Sequence, residues 1–398
     1  METKPHTQAE ISFSNTAIAF KDKSNADLNN ASLLFKTFNY KWLLQTGPKL
    51  ASLGFKLGLP VKGVIKSTLF RQFCGGESIE ECALTISKLA KAKIGTILDY
   101  SVEGQENETV FEATKLEIIR TVIKAADNPN IPFSVFKVTG IARFHILAKA
   151  SDASYTLSEQ ELAELKKIQN RFDAIVQKAY ELKVRIFVDA EESWIQPVID
   201  RMVMEASKKY NRESCYVYNT VQIYRHDRLE FVKNCIETAR EEDFMLGFKI
   251  VRGAYMEKER ERAERMQYPS PIQADKASCD KDFDACLKLC LSNIERVSFC
   301  AGTHNENSCK LLIEEMQKNG LAPSDKRIYF AQLLGMSDHI SYNLANAGYN
   351  VTKYVPYGKV KEVLPYLVRR AEENSSVKGQ AGRELSLIQQ ELRRRKSL

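Results

Sequence analysis

Short apolar runs alternate with longer amphipathic stretches along most of this chain, from about residue 94 onward. Eight of the runs have the length of buried strands, and each is followed by a stretch with apolar residues at helical spacing. The predicted strands are Ile94–Asp99, Pro132–Val138, Val184–Asp189, Cys215–Gln222, Met245–Val251, Val297–Ala301, Arg327–Gln332 and Asn350–Val355. The helices predicted between them include Glu108–Ala126, Ser158–Leu182, Ile195–Lys209, Arg228–Glu241 and Asn305–Asn319.

Eight repeats of a strand followed by a helix indicate an α/β protein. Apolar strands of this kind are typical of a parallel sheet that helices cover on both faces. We therefore predict a (β/α)8 TIM-type barrel over residues 93–378. The alternative is an open doubly wound sheet, which usually carries a glycine-rich fingerprint after its first strand. Neither that fingerprint nor a P-loop occurs in the sequence.

The first 92 residues lack strand signals, and we predict that they form an N-terminal helical arm. One helix is predicted from Asp27, where cap residues precede an apolar run. Its apolar residues at helical spacing are Leu34, Phe35, Phe38 and Trp42. Pro60 predicts a break. A later helix is predicted over Ser78–Ala92, because Ser78 and Glu81 have the spacing of a capping box.

Composition and charge narrow the functional classes. Hydrophobic residues make up 44% and charged residues 27% of the 398 positions, which is ordinary globular usage and excludes a disordered or collagen-like chain. The net charge of +7 is mild at this length and does not argue for nucleic acid as a partner. Nine cysteines without a Cys-x-x-Cys pair argue against a disulfide framework and a zinc site, and they favour a reducing compartment.

These features predict a cytoplasmic location. No apolar run approaches the roughly 20 residues of a membrane span, and the N-terminus resembles neither a secretory signal nor a transit peptide. Residues 379–398 are predicted to form a basic C-terminal tail that includes Arg393–Lys396. Its apolar stripe of Leu385, Ile388 and Leu392 leaves two alternatives: peripheral contact at the inner face of a membrane, or a helix that packs on its own barrel.

Charged residues stand at the ends of the predicted strands, where barrel enzymes place their chemistry. Lys137 and Lys249 lie inside apolar strands, and a buried ammonium group needs a partner. Asp189, on the strand next to Lys137, is a plausible partner. Three interpretations are open: a structural ion pair at the barrel rim, a charged wall that holds cofactor or substrate, and a Schiff-base lysine. A nearby carboxylate argues against the last, because it stabilises the ammonium form.

The last predicted helix carries the most informative pattern. One face holds Tyr366, Arg369, Arg370 and Glu373, and another, apolar face holds Val363, Leu364, Leu367 and Ala371. Adjacent arginines beside an aromatic ring suit a carboxylate or phosphate ligand, through planar bidentate hydrogen bonds. A solvent-exposed helix with an Arg369–Glu373 salt bridge is the alternative. Pro365 predicts that the helix begins close to it.

In five motifs, and in their order along the chain, the sequence resembles the stand-alone proline dehydrogenases. These enzymes oxidise L-proline to Δ1-pyrroline-5-carboxylate with FAD, and the resemblance covers about residues 35–378. The motifs are Tyr366-Leu-x-Arg369-Arg370-x-x-Glu373-Asn374, Lys249-Ile-Val-Arg-Gly-Ala-Tyr255, Asp189-Ala-Glu, Gly302-Thr-His-Asn305 and Gln332-x-x-Gly-Met336. We expect no aldehyde dehydrogenase module like that of the bifunctional relatives, because the chain is too short for one.

The resemblance implies a distorted barrel with FAD across its C-terminal mouth. The implied catalytic residues are Lys137, Asp189, Tyr354, Arg369, Arg370 and Glu373. The implied substrate pocket adds Tyr255, Leu333 and Tyr366. The implied cofactor-binding residues are Gln222, Lys249, Val251, Arg252, Gly253, Thr303, His304, Asn305 and Gln332.

On the substrate side, the resemblance implies that Arg369 and Arg370 hold the proline carboxylate, with Glu373 orienting them. Asp189 is expected to pair with Lys137 or with these arginines. A cationic wall keeps the substrate carboxylate ionised and disfavours the ammonium form of its nitrogen, which helps hydride loss from the neighbouring carbon. No strong general base is required.

On the cofactor side, Lys249 is expected near flavin N5 and O4, where its charge would stabilise the reduced flavin. Gln222 is expected to face the pyrimidine edge of the flavin. The residues expected along the ribityl and pyrophosphate portion are Arg252, Gly253, Thr303, His304 and Asn305.

The main hypothesis is a flavoprotein oxidoreductase that takes the first step of proline catabolism, with a quinone as the onward acceptor that the family usually uses. A 4-hydroxyproline dehydrogenase is the alternative within the class, although bulky Tyr354 should crowd a ring hydroxyl. Two alternatives belong to other classes: a Schiff-base aldolase that uses Lys137, and a non-catalytic protein that binds a membrane surface through Arg393–Lys396. The sequence leaves the oligomeric state and the reactivity with oxygen open.

Overall fold

Eight parallel strands close into a barrel in the computed structural model, which confirms the predicted (β/α)8 architecture and excludes the open sheet. The structure describes residues 11–38, 46, 61–100, 106–376 and 380–398; for 372–376, 380 and 381 it describes the backbone alone. The strands are β1 Ile94–Tyr100, β2 Phe133–Phe136, β3 Arg185–Val188, β4 Val217–Gln222, β5 Leu246–Val251, β6 Val297–Gly302, β7 Ile328–Leu333 and β8 Val351–Tyr357. Each pairs with the next, and β8 closes on β1 from Ile94↔Val351 to Tyr100↔Tyr357.

Helices cover the outside of the barrel and also precede and follow it. Along the described chain they are Thr16–Ala19, Asn25–Thr37, Val61–Ile65, the π-helix Lys66–Phe70, Arg71–Phe73, Ala83–Lys91, Glu108–Ala126, the 3-10 turn Val138–Gly140, Phe144–Ser151, Glu159–Glu181, Gln196–Tyr210, Arg228–Glu241, Met256–Met266, Lys276–Leu291, Glu306–Lys318, Asp338–Asn346, Val360–Ser376 and Gln380–Lys396. The eight predicted strands and the five predicted helices between them are confirmed, with ends that move by at most two residues.

The first long helix of the N-terminal arm begins at Asn25, earlier than the predicted start at Asp27. Ser24 is its N-cap, and Asp27 completes a capping box with it. Asp27 is therefore the third residue of the helix and not its first. The apolar run alone does not show where the helix begins. The predicted residues Trp42 and Pro60 lie outside the described residues.

The later helix of the arm begins at Ala83, five residues after the predicted start at Ser78. The Glu81 N–H donates to Ser78 Oγ at 3.3 Å, as a capping box requires. The Glu81 carboxylate, however, accepts from the Glu77 N–H at 3.0 Å instead of returning to Ser78. Residues 79–82 form a turn rather than a first helical turn, so the predicted start is wrong.

The helix Val360–Ser376, hereafter the arginine helix, begins five residues before Pro365, so the predicted start near this proline is wrong. A proline at the sixth helical position removes a single N–H donor, the one that would reach the Lys361 carbonyl. Apolar burial outweighs that loss, because Val363 and Leu367 are fully buried.

Among the described residues, the three largest apolar clusters account for most of the buried core. One fills the barrel interior with Phe133, Phe187 and Tyr218 among others, and a large second one lies between the strands and the surrounding helices. The third joins the arm, the arginine helix and the helix Gln380–Lys396, hereafter the C-terminal helix. This third cluster lies beside the barrel and fixes the arginine helix in place.

The C-terminal helix lies within the predicted basic tail, residues 379–398, and its apolar stripe packs inside the molecule. Ile388 is buried, and Leu385 and Leu392 pack against the third cluster. Arg395 donates to the backbone carbonyls of Phe20 at 2.8 Å and Lys23 at 2.7 Å. These contacts favour packing on the chain over membrane contact. Among the described residues, no helix combines the length and the apolar character that a membrane crossing requires.

Candidate active site

Five side chains meet at the C-terminal mouth of the barrel and are named here the Asp189 cluster: Asp99, Lys137, Asp189, Lys249 and Tyr354. Asp99 is in β1, Lys249 in β5 and Tyr354 in β8, while Lys137 and Asp189 directly follow β2 and β3. The Tyr354 hydroxyl donates to Asp189 Oδ2 at 2.5 Å, and Lys249 Nζ donates to Asp189 Oδ1. Lys137 Nζ lies 3.7 Å from Asp99 and 3.9 Å from Asp189.

The predicted pairing of Lys137 with Asp189 is present, but Lys249 is the closer cation. Burial alone would raise the pKa of Asp189, yet the charges of Lys249 and Lys137 hold it below its usual range. Asp189 is therefore an ionised carboxylate. Burial and the Asp189 charge raise the pKa of Tyr354 well above its usual range, so the phenol keeps its proton and remains a hydrogen-bond donor.

The arginine helix places Arg370 in a buried position. Its side chain is 8% exposed, and its guanidinium carbon lies 5.0 Å from the centre of the Tyr366 ring. Tyr366 is itself 4% exposed, and Arg369 is half-buried. This burial argues against the alternative of a solvent-exposed, salt-bridged helix. The side chain of Glu373 lies outside the described residues.

Arg252, just beyond β5, is fixed by a fan of hydrogen bonds. Its Nε donates to Asp280 Oδ1 at 2.7 Å, Nη1 donates to Thr303 Oγ1 at 2.7 Å, and Nη2 donates to Ser308 Oγ at 3.0 Å. The next residue, Gly253, has a φ of +140°, and a Cβ there would meet the Tyr224 ring at 2.6 Å. The tight backbone at this position therefore requires glycine.

His304 lies beyond β6 and is neutral. Burial, and then the positive charges of Lys353 and Arg370, lower the pKa of His304 to about 3. Its Nδ1 lies 2.9 Å from the hydroxyl of Ser337, which follows β7. The Ser337 contact thus fixes the orientation of an uncharged ring.

Three other predicted cofactor residues are engaged by the neighbouring backbone. Asn305 caps the helix Glu306–Lys318, because its Oδ1 accepts from the Asn307 N–H at 2.8 Å. Gln332 Nε2 donates to the Thr303 carbonyl at 3.0 Å, and Gln222 Nε2 donates to the Glu191 carbonyl at 2.7 Å. These amides hold the loops that carry other predicted site residues. Val251 ends β5, Leu333 ends β7, and Tyr255 precedes the helix Met256–Met266.

Three buried charged residues of this region had no role predicted from the sequence: Asp99, Lys353 and Glu191, the last of which belongs to the Asp189-Ala-Glu motif. Asp99 is 1% exposed at the end of β1, and Lys353 is fully buried in β8, so the rules that singled out Asp189 and Lys249 would have found both. Glu191 is 2% exposed and accepts from the Thr139 N–H at 3.0 Å and from the Thr139 hydroxyl. Its acidic neighbours along the chain gave no signal that it would be buried.

The chain has relatives among known proteins. The family model described as Proline dehydrogenase matches residues 82–383. The chain is 32% identical over 425 aligned positions to Proline dehydrogenase 1, mitochondrial, of Dictyostelium discoideum, an alignment that covers 96% of this chain and 74% of that protein. It is also 29% identical over 424 positions to Hydroxyproline dehydrogenase of Xenopus laevis, covering 98% of this chain and 91% of that protein.

Among solved structures, the fold is similar to that of proline utilization A (PutA) from Bdellovibrio bacteriovorus inactivated by N-propargylglycine. The TM-score is 0.74 at 20% sequence identity, and the match covers 91% of this chain and 42% of that one. At this identity the likeness shows a shared fold, and the chain spans less than half of that longer protein.

Proposed function

Because the chain belongs to the proline dehydrogenase family, we propose that it oxidises L-proline to Δ1-pyrroline-5-carboxylate with FAD as its cofactor. The observation that carries the proposal is the Asp189 cluster, which gathers two lysines, two carboxylates and a tyrosine at the barrel mouth. Barrel enzymes bind and transform their substrates at this end of the strands.

Arg370, with Arg369, binds the substrate carboxylate in this proposal. The Arg370 guanidinium packs on the Tyr366 ring, and this contact fixes the plane in which its N–H groups donate. Its burial strengthens an ionic hydrogen bond, because water competes less for the charge. Fixing the carboxylate in this way also fixes the proline ring between Leu333 and Tyr354.

In this proposal the cations of the mouth favour an amine without its proton. Lys137 and Lys249 belong to the Asp189 cluster, and Arg369 and Arg370 lie on the arginine helix. A positive charge close to the substrate nitrogen disfavours its ammonium form, which leaves the lone pair available when hydride leaves the adjacent carbon. Tyr354 keeps its proton and supports Asp189.

The residues of the mouth fit an anionic, phosphate-bearing cofactor. Bound FAD would supply the hydride acceptor that oxidation of a C–H bond requires. Arg252, which a salt bridge to Asp280 holds in place, would provide a positive charge for its phosphates. Lys249 would provide a fixed cation for the flavin. Neutral His304 directly precedes Asn305, the cap of the helix Glu306–Lys318.

The competing functions have weaker support. A Schiff base at Lys137 needs a neutral amine, whereas Asp99 and Asp189 both lie within 4 Å and favour the ammonium form. A membrane-binding role for the basic tail would use Arg394 and Arg395, but both pair with Glu391. Hydroxyproline is the closest competitor as a substrate, because a relative bears that name.

The first test is the visible absorption spectrum of the purified protein, before and after anaerobic addition of L-proline. We expect a flavin spectrum that bleaches with L-proline and bleaches far less with trans-4-hydroxy-L-proline. If only hydroxyproline bleached the flavin, hydroxyproline would take the place of L-proline as the proposed substrate. A protein that stays colourless after FAD is added would refute the flavoenzyme, and borohydride trapping on Lys137 would then test the aldolase.

The electrons must leave the reduced enzyme, and we propose a quinone as the acceptor. Its test is the steady-state reduction of a soluble quinone analogue with L-proline as the electron donor. Turnover with oxygen but not with the quinone would contradict this part of the proposal without touching the substrate assignment.

A further inference from the structure

The turn that follows β7, residues 334–337 and hereafter the β7 turn, is held by groups from distant parts of the chain. Gln72 in the arm donates from Nε2 to the Gly335 carbonyl at 2.8 Å. Lys353 in β8 donates from Nζ to the Met336 carbonyl at 2.5 Å. Such contacts are needed because a buried turn leaves backbone polar groups that water cannot reach.

Two salt bridges meet at Asp338, the residue that directly follows the β7 turn. Lys353, which is fully buried, lies 2.9 Å from Asp338 Oδ1, and Lys23 of the arm lies 2.6 Å from Asp338 Oδ2. The two cations lower the pKa of Asp338, although burial alone would raise it. The pleat of β8 points Lys353 away from the barrel interior, opposite to its neighbour Tyr354.

The C-terminal helix makes the third contact, and it does so with a buried carboxylate. Glu384 is 3% exposed and accepts a hydrogen bond from the Ser337 N–H. Ser337 has a φ of +50°, a left-handed conformation that a residue other than glycine adopts only when its surroundings hold it there. Glu384 supplies a strong acceptor for the N–H of this strained residue.

Ser337 connects that carboxylate to the active site. Its hydroxyl lies 2.9 Å from His304 Nδ1, and its side chain is 1% exposed. If the turn relaxed, the hydroxyl would move away from the ring. A neutral imidazole without this partner could rotate about its χ angles and lose the orientation of Nε2.

We propose that Glu384 is a positioning residue of the active site. It fixes Ser337 through the backbone N–H, and the Ser337 hydroxyl then fixes the His304 ring against the cofactor. The inference rests on the proposed function, since it requires His304 to lie against FAD. It also gives the C-terminal helix, which the sequence suggested was a basic tail, a part in forming the site.

The test is the dissociation constant of FAD from the apoprotein, measured by quenching of flavin fluorescence. All measurements are made well below the unfolding temperature of each variant. We expect Glu384→Ala and His304→Ala each to raise the constant about tenfold, which corresponds to about 1.4 kcal/mol. If Glu384 acts through His304, the double variant will bind no more weakly than the weaker single variant. If the double variant instead raised the dissociation constant by the product of the two single effects, the proposal would be overturned.

Two controls separate positioning from simple stability. Glu384→Gln keeps an acceptor oxygen for Ser337, so FAD affinity should return to within about threefold of the wild type. Glu391→Ala removes another buried carboxylate from the same helix, one that pairs with Arg394 and Arg395. It should lower the unfolding temperature and leave FAD affinity unchanged. Equal losses of affinity in Glu384→Ala and Glu391→Ala would refute a specific role for Glu384.

Ser337→Gly keeps the proposal testable if Glu384→Ala does not fold. Glycine favours the left-handed φ and retains the N–H, but it lacks the hydroxyl that contacts His304. We expect about tenfold weaker FAD binding from a stably folded protein, and unchanged affinity would overturn the proposal. A wild-type protein that binds no FAD would instead refute the proposed function itself.

Discussion

The phenol oxygen of Tyr354 lies 2.5 Å from Asp189 Oδ2, although 165 residues separate the two along the chain. The other oxygen of the same carboxylate accepts from Lys249. One buried acid therefore holds both a ring predicted to touch the substrate and a cation predicted to touch the cofactor. The substrate and cofactor sides of the site share this anchor.

Because the Tyr354 ring is predicted to touch the substrate, substitutions of Tyr354 should change which substrate the enzyme prefers. Tyr354→Ser removes the ring and should raise the ratio of hydroxyproline to proline turnover, measured as kcat/KM for each substrate. A gain of about tenfold or more is expected, because a steric clash of roughly 1–3 kcal/mol is relieved. Tyr354→Phe keeps the ring and loses only the bond to Asp189, so it should leave the ratio unchanged. An unchanged ratio in the serine variant would contradict the crowding argument.

Asp189 should matter for stability as much as for activity. Asp189→Asn leaves Lys249 without its closest anion in a buried site, and we expect a loss of about 3–5 kcal/mol in the free energy of unfolding. Urea denaturation measures the loss. Asp243→Asn is the matched control, because the Asp243 side chain is 90% exposed and its pair with Arg296 is on the surface. Equal stabilities for the two variants would show that the cluster is not electrostatically coupled.

The sequence predicted the barrel well because each element repeats a clear periodicity. Apolar runs such as Met245–Val251 and amphipathic stretches such as Arg228–Glu241 have hydrophobic patterns that suit one local structure. Helix starts were harder to predict. Pro365 looked like a start, yet burial of Val363 and Leu367 extends the arginine helix through it. Tertiary packing overrode the local signal there.

Site residues could be predicted where a charged side chain stands at a strand end. Their contacts with residues far away in the sequence were harder to predict. Lys249 and Asp189 could each be found as charges in apolar strands, but their mutual contact depends on how β3 and β5 are placed around the barrel. Glu384 could not be found, because it lies in a segment whose excess of basic residues dominates its character. Only the folded chain brings that helix against the β7 turn.

Arg370 should contribute mainly to substrate binding. Arg370→Lys keeps the charge but loses the planar fork and its packing on Tyr366. We expect KM for proline to rise about 10- to 100-fold, the value of one or two charge-assisted hydrogen bonds, with FAD still bound. Arg394→Lys on the C-terminal helix is the control, because its side chain is 41% exposed. If Arg370→Lys weakened the binding of FAD as much as that of proline, the substitution would have disrupted the whole site, and a specific role of Arg370 in substrate binding would be contradicted.

Glu191 should make the protein less stable as the pH rises. Burial raises the pKa of Glu191 to about 8, from an ordinary value of 4.5. The folded state therefore holds this proton more tightly than the unfolded state does. The stabilisation is full below about pH 4.5 and is lost as the pH rises through 8.

Glu191→Gln removes this dependence, because an amide does not ionise. Between pH 5 and pH 8.5, the difference in the free energy of unfolding should shift in favour of the variant by about 2–4 kcal/mol. Urea denaturation at the two pH values measures the shift, and taking the difference between proteins cancels groups that titrate in both. Glu205→Gln, whose side chain is 74% exposed, should show no such shift. A constant difference for Glu191→Gln would mean that Glu191 is already ionised at pH 5, with Thr139 and Lys137 outweighing its burial.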